Sequence, residues 1–165
     1  GERPGEKYMH PVMGTNARMT DMQAGIGLAQ LGKVEGFIRE RNAIAAKYQD
    51  LLGNDSKIGL PNHERADVQR HSYFFYAIRV SRRDEVARRL LGEFGVDTRI
   101  AYPLPVYRQG LFKDGAHPYR KGDCPIAEQF ANEVLNLPIF PGLSDENIEY
   151  IANGLKEILD NSAAA

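Results

Sequence analysis

A single cysteine, Cys124, excludes an internal disulfide framework and suits a reducing compartment, which makes the cytoplasm the default location. No apolar run reaches the length of a membrane span, and the opening GERPGEKYMHP has no apolar core of the kind a signal peptide needs. An excess of charge of one sign is also missing. The net charge of -1 removes any general attraction to nucleic acid or to an anionic membrane, so anion binding has to be local. His10, His63, His71 and His117 are scattered, with no i, i+4 pair and no cysteine partner, which argues against a metal site. There is no P-loop, no G-x-G-x-x-G and no G-x-S-x-G. An initiator Met is absent too, and the charged, glycine-containing start reads as the interior of a longer gene product.

What remains is the composition of one ordinary domain. The chain has 165 residues, 42% hydrophobic and 26% charged, enough to bury a modest core without metals or disulfides. Residues 1–19 carry Pro4, Gly5, Pro11 and Gly14 without periodicity and read as an extended loop. Thr20 with Gln23 three residues on is a capping box. It predicts a long first helix in which Met22, Ile26, Ala29, Val34, Phe37, Ile38, Ile44, Ala45, Tyr48, Leu51 and Leu52 recur at helical spacing. Gly32 is a point of bending or breaking, and Gly53-Asn54 is the end.

Tyr73 to Val80 is rich in aromatic and β-branched residues and apolar on both faces, as in a strand covered on both sides. Ser81 with Asp84 predicts the start of a second helix, with Val86, Leu90, Leu91 and Phe94 facing the core and Gly95 as its C-terminal cap. A short strand about Asp97 to Ala101 follows. Pro125 suits the first turn of a helix through about Leu135, Leu137-Pro138 reads as a short edge strand, and Ser144 caps a last helix with the stripe Ile148, Ile151, Ala152, Leu155, Ile158 and Leu159. The order predicts an α+β fold: a small mixed or antiparallel sheet covered by helices, spanning 20–160, with 161–165 as a frayed tail.

Two stretches could carry chemistry. The first is GTNARMTDMQAGIGLAQL, residues 14–31. Asn16 and Arg18 stand at the approach to a helix N-terminus, where unpaired N–H groups and the dipole attract anions; the amide gives a directed donor and the guanidinium a bidentate fork. Ala24, Gly25, Gly27 and Ala29 weaken that helix, by about 1 kcal/mol per glycine, which close approach of another backbone or subunit would offset. The same residues read equally well as ordinary loop positions and chance glycines.

The second stretch is the long irregular segment after Tyr102, where Pro103 and Pro105 stiffen a run containing Tyr107, Arg108 and Gln109. A preorganised ligand loop and a plain solvent-facing loop both fit it. Cys124 sits at a helix start, where the dipole lowers a thiol pKa, as a nucleophile or as an incidental half-buried side chain. His71 fits a packed core-edge residue, and Arg39, Glu40 and Arg41 a solvated helix face.

Residues 14–31 resemble the G-x-N-x-R-M-[ST]-x-x-Q-A-A-I-G-x-x-Q-L signature of the DegT/DnrJ/EryC1/StrS sugar aminotransferases, fold-type I enzymes that use pyridoxal 5'-phosphate. Ala17 and Gly25 stand where Tyr and Ala are commoner. The resemblance continues through Phe37-Ile38, Arg41 and Tyr48, the strand after His71, the segment from Gly95-Val96 to Tyr102-Pro103, and LNLPIFP from Leu135 to Pro141.

The resemblance implies the small C-terminal domain of such an enzyme. Its larger N-terminal domain would be a separate partner supplying the Schiff-base lysine, so the isolated chain would not be competent in catalysis. Asn16 would match the asparagine that reaches across a homodimer interface to the neighbouring subunit's cofactor phosphate, and Arg18 an arginine that contacts substrate. Tyr102 to Gln109 resembles the Y-P-x-P-L-H-x-Q form of members that act on nucleotide-linked keto-sugars, with Tyr107 where histidine is frequent. A phenol can hydrogen-bond a sugar or a phosphate but does not titrate near neutrality. The reaction implied is transamination from an amino acid such as glutamate. A non-catalytic interaction or regulatory module that kept the fold is the alternative, and a small thiol enzyme using Cys124 the third.

Overall fold

The computed structural model describes residues 17–61, 71–112 and 122–162. The chain divides into two compact units, Gly1–Glu35 and Gly36–Ala165.

In the first unit, helix α1 (Asp21–Leu31) opens as the sequence predicts. The Thr20 hydroxyl accepts from the Gln23 N–H at 3.3 Å, and the Gln23 side chain accepts from the Thr20 N–H at 3.0 Å. The helical run breaks at Gly32-Lys33, the point its glycine marks in the sequence, and the Lys33 N–H turns there to the Gln30 carbonyl. No residue of α1 is buried: Met22, Ile26, Leu28 and Leu31 are 60–78% exposed. Met22 and Ile26 therefore do not belong to a core among the described residues, although their spacing is helical.

Helix α2 (Val34–Leu52) follows, and its second half buries Ile44, Ala45, Tyr48 and Leu52. A turn through Gly53-Asn54 leads to the two-residue strand β1 (Ile58–Gly59). Strand β2 (Tyr76–Val80) is flanked by β1 and by β3 (Val134–Leu137) in an antiparallel sheet of order β1-β2-β3. Register pairs Tyr76 with Leu137 and Ile78 with Leu135 on one face, Ala77 with Asn136 and Arg79 with Val134 on the other. Side chains alternate between faces along a strand, so Tyr76, Ile78, Leu135 and Leu137 enter the core while the other set points away from it.

Helices α2, α3 (Arg83–Phe94) and α5 (Asp145–Ser162) supply the rest of that core, with Val86 and Leu90 meeting Ile148, Leu155 and Ile158. The expected layer of a small sheet under helices is thus present, and the sheet is antiparallel. Gly95 ends α3 in the left-handed conformation at φ 65, and the Ser144 hydroxyl accepts from the Asn147 N–H at the start of α5. Gly154 lets α5 come close to α3: a Cβ there would lie 2.8 Å from the Phe94 ring. Gly154→Leu is expected to lower stability by about 1–3 kcal/mol through overpacking, measured by urea unfolding of the chain.

Several local expectations are corrected. β2 begins at Tyr76 rather than Tyr73, because Tyr73 has φ 44 and its carbonyl accepts from Arg41 Nη1 at 3.4 Å outside the ladder. Arg82, at φ 54, occupies the N-cap of α3 with no side-chain hydrogen bond, so the Ser81/Asp84 capping box does not form. Leu91 is exposed, and Arg83 is buried on α3 in place of the expected fourth apolar residue. The predicted strand at 97–101 reduces to one bridge, Arg99 with Asn136. That bridge lies on β3, whose span the sequence predicts as helix up to Leu135 and an edge at Leu137-Pro138; helix α4 (Pro125–Glu133) instead passes directly into β3. Helix α5 continues to Ser162, past the start of the expected tail. No helix among the described residues is long and apolar enough to cross a membrane.

Candidate functional site

The outward face of the sheet, α4 and the segment after Tyr102 enclose a groove of about 770 Å³. Phe75, just before β2, and Ala77 of β2 form its floor, Ile126 and Phe130 of α4 one wall, and Leu104 and Val106 the other. The buried Asn136 closes one end, its side-chain amide donating to the Arg99 carbonyl at 2.7 Å. Cys124, half-exposed at the N-cap of α4, lines the groove, and among the described residues no histidine, carboxylate or lysine shares that lining. A thiol needs a base or a cation to become a nucleophile, so this lining gives the thiol-enzyme reading no support.

The polar residues lie on the segment that forms the second wall. Tyr102 opens it at φ 57, a left-handed conformation that costs a non-glycine residue about 1 kcal/mol or more, with its side chain 78% exposed. Pro103 and Pro105 fix φ on either side of Leu104, and a short 3-10 turn, Val106–Arg108, follows, closed by the Arg108 N–H on the Pro105 carbonyl at 2.9 Å. Gln109 is exposed, and its amide donates to the Leu104 carbonyl at 3.4 Å; Arg108 is half-buried.

Tyr107 is the anchored member. Its hydroxyl donates to Glu128 Oε1 at 2.5 Å, and the Gly122 N–H donates to the same oxygen at 2.6 Å. Desolvation and then the Glu128 carboxylate push the Tyr107 phenol up to about 12. Tyr102, Tyr107, Arg108 and Gln109 are thus brought onto one short stretch of structured backbone.

Glu128 is invisible to sequence reasoning because its bond spans 21 residues; the only local signal is an acid in the first turn of a helix that starts with Pro125. Glu40 and Arg41 do more than the solvated face expected of them. Glu40 accepts from the Gly142 N–H at 3.0 Å, and the Arg41 guanidinium lies over the Phe74 ring at 6.0 Å. Arg39 is exposed as expected; His71 is exposed too, but its ring packs on the Tyr73 ring at 4.3 Å between centroids, and its Nδ1 accepts from the Tyr73 N–H at 2.9 Å.

Arg18 is exposed two residues before the Thr20 cap, in the first unit. Asn16 lies outside the described residues, as do His10, His63 and His117. A Cβ on Gly25 or Gly27 would meet no described atom within 4 Å.

The described residues thus give a small α+β domain with one sheet face covered by helices and the other bordering a groove beside a proline-stiffened polar segment. The family it comes from is identified by comparison: residues 1–156 match the model of the DegT/DnrJ/EryC1/StrS aminotransferase family, and the chain belongs to that family. It is 34% identical to a pleiotropic regulatory protein of Geobacillus stearothermophilus over 95% of this chain and 41% of that one. It is also 34% identical to the dTDP-3-amino-3,4,6-trideoxy-alpha-D-glucose transaminase of Streptomyces venezuelae, over 92% of this chain and 39% of the other. The crystal structure of S. venezuelae DesV in complex with a ketimine intermediate superposes with a TM-score of 0.80 at 33% identity, covering 93% of this chain and 40% of that one. The chain therefore spans about 40% of the length of the curated relatives it matches.

The aminotransferases of this family use pyridoxal phosphate. The described residues do not fit it as its host. The groove lining has no charged side chain to meet a phosphate and no lysine to hold the aldehyde carbon, and Lys47 and Lys57, elsewhere on the surface, are paired with Asp145 and Asp160.

Proposed function

We propose that this chain is the C-terminal portion of a pyridoxal phosphate-dependent aminotransferase that aminates a nucleotide-linked keto-sugar with an amino acid donor such as glutamate. The observation that carries the proposal is the family match over residues 1–156 in a chain that covers about 40% of relatives such as the dTDP-amino-sugar transaminase. The larger remainder of the protein holds the cofactor and its lysine. In this reading Arg18 meets an anionic part of the substrate, and Tyr102, Tyr107, Arg108 and Gln109 form part of the sugar-binding wall. Asn16 contacts the cofactor phosphate of a second subunit. The exposed apolar side chains of α1 support a covered interface there, because an isolated helix of 11 residues is marginal in water and gains its stability from packing its apolar residues. The domain limits follow from the same reading, with 1–19 as the connection to the larger domain.

Borohydride reduction after incubation with pyridoxal phosphate, followed by intact-mass measurement, tests this. The full-length gene product is expected to gain one cofactor on one lysine outside these 165 residues, and the 165-residue chain none. A stoichiometric adduct at a single lysine within the chain would overturn the assignment. In the full-length protein Asn16→Ala is expected to lower cofactor retention on dialysis. Likeness to the pleiotropic regulatory protein favours a second reading, a non-catalytic regulatory module. A full-length product that binds no cofactor and converts no amino sugar would establish it.

A further inference from the structure

Asn136 is a buried amide with one end unused. It is 4% exposed on the outward face of β3, where it closes one end of the groove. Its backbone exchanges both hydrogen bonds with Arg99, and its side-chain amide donates to the Arg99 carbonyl at 2.7 Å. That carbonyl can only accept, so Nδ2 has to face it and Oδ1 has to face the other way. No donor among the described residues reaches Oδ1, and the atom keeps a surface that solvent can touch. Leu135 and Leu137, its neighbours on β3, enter the core, so the open side of Asn136 is the groove.

The groove's volume of about 770 Å³ lies within the range of about 300–1,000 Å³ for small-molecule sites, which combine an apolar lining with a few placed polar groups. Its lining is apolar apart from Tyr102, Cys124 and Asn136, and no charged side chain among the described residues belongs to it. A carboxylate or a phosphate would meet no cation there and would face the lone pairs of Oδ1. An alkyl chain would suit the walls but would leave Oδ1 unpaired in an apolar place, which is unfavourable. A planar ring with an N–H satisfies both, since its faces can lie against Phe75 and Phe130 while its edge donates to Oδ1.

We propose that this groove binds an uncharged planar ring bearing an N–H, which rests on Phe75 and Phe130 and donates that hydrogen to Asn136 Oδ1. Two sources supply such a ring: the base of a nucleotide-linked sugar, and a free heteroaromatic compound. Only the first rests on the aminotransferase reading; the site itself rests on the groove and its amide. The Arg99 backbone has a positioning part, because its carbonyl decides which end of the amide meets the ligand.

The test uses the full-length gene product in parent, Asn136→Ala and Phe130→Ala forms of confirmed thermal stability. Isothermal titration calorimetry compares two matched pairs, thymidine with 3-methylthymidine and indole with 1-methylindole. Within each pair the ring is kept and a methyl group replaces the hydrogen on nitrogen. In the parent, at least one N–H ring is expected to bind about tenfold tighter than its methylated partner. Asn136→Ala should reduce that preference to about twofold or less, because the acceptor is gone. Phe130 is 51% exposed, so its truncation should leave the fold intact and weaken both members of a pair alike. Thymidine binding that a dTDP-linked sugar displaces would assign the ring to the substrate's base, and indole binding that persists beside that sugar would assign it to a free compound. Binding of neither N–H ring to the parent, equal binding within both pairs, or a preference that survives Asn136→Ala would overturn the proposal. Uptake of cofactor with no ring bound would overturn it and leave the aminotransferase reading standing; a ring preference without cofactor uptake would do the reverse.

Discussion

Between pH 10 and 12 the chain is expected to lose about 5 kcal/mol of stability, enough to unfold an ordinary domain. The cause is a pair of phenols in the core. Tyr48 of α2 and Tyr76 of β2 are both 0% exposed and stack with ring centroids 4.9 Å apart, and the Tyr48 hydroxyl donates to the Pro138 carbonyl at 3.0 Å. Burial raises both phenols far above their ordinary range, with Tyr76 adding to it at Tyr48 and Tyr73 adding to it at Tyr76. Below pH 10 folded and unfolded chains both keep these protons, and the contribution is constant. Above pH 10 the unfolded chain releases protons that the folded chain retains, so each added pH unit favours unfolding by about 1.4 kcal/mol per tyrosine. Urea unfolding at pH 8 to 12 measures this directly. Tyr48→Phe should halve the slope above pH 10 while costing about 1 kcal/mol at neutral pH for the lost hydrogen bond. A stability that stays level to pH 12 would mean that the stacked pair is wet in solution.

Arg83→Ala is expected to cost about 2–5 kcal/mol, more than any other substitution of a charged residue among the described ones. Arg83 is 5% exposed, and its Nη1 donates to the carbonyls of Ala131 at 3.0 Å and Val134 at 3.1 Å. Those carbonyls lie where α4 gives way to β3, beyond the reach of intrahelical partners, so truncation leaves two buried acceptors unsatisfied. The Asp84 carboxylate, 2.7 Å from Nε, is itself largely exposed, and Asp84→Asn should change stability by less than about 1 kcal/mol. Comparing the two variants by chemical unfolding separates the role of the carbonyls from that of the ion pair. Equal losses would assign the effect to the ion pair. Arg83→Lys should fall between them, because one ammonium replaces a fork that reaches two acceptors.

What the sequence makes legible follows the range of the interaction. Thr20 with Gln23, Gly95 after α3 and Ser144 before α5 each act within four residues, and all three take the form their spacing implies. The stripe Ile148, Ile151, Ala152, Leu155, Ile158 and Leu159 is legible for the same reason, since a buried helix writes its period into the sequence. Tyr73 reads wrongly as strand because what removes it from the ladder, Arg41, lies 32 residues away. Arg83 gives no sign of its burial because its partners begin 48 residues on, and a two-residue strand such as Ile58–Gly59 has no period to detect. At the candidate site the prolines and polar residues of the loop are visible in the sequence, while the carboxylate that orders them is not.

The sheet register has a consequence for the order in which the molecule can assemble. β2 finds its partner β3 only across the long interval from Val80 to Val134, and α5, which packs on α3, comes last. At a synthesis rate of about 5–20 residues per second, the ribosome needs about 3–10 s to deliver β3 after β2 has emerged. During that time β2 lacks one of its two strand neighbours, although α2, already made, can place Tyr48 on Tyr76 and α3 follows β2 directly, so the helical side of the core can form before the sheet is complete.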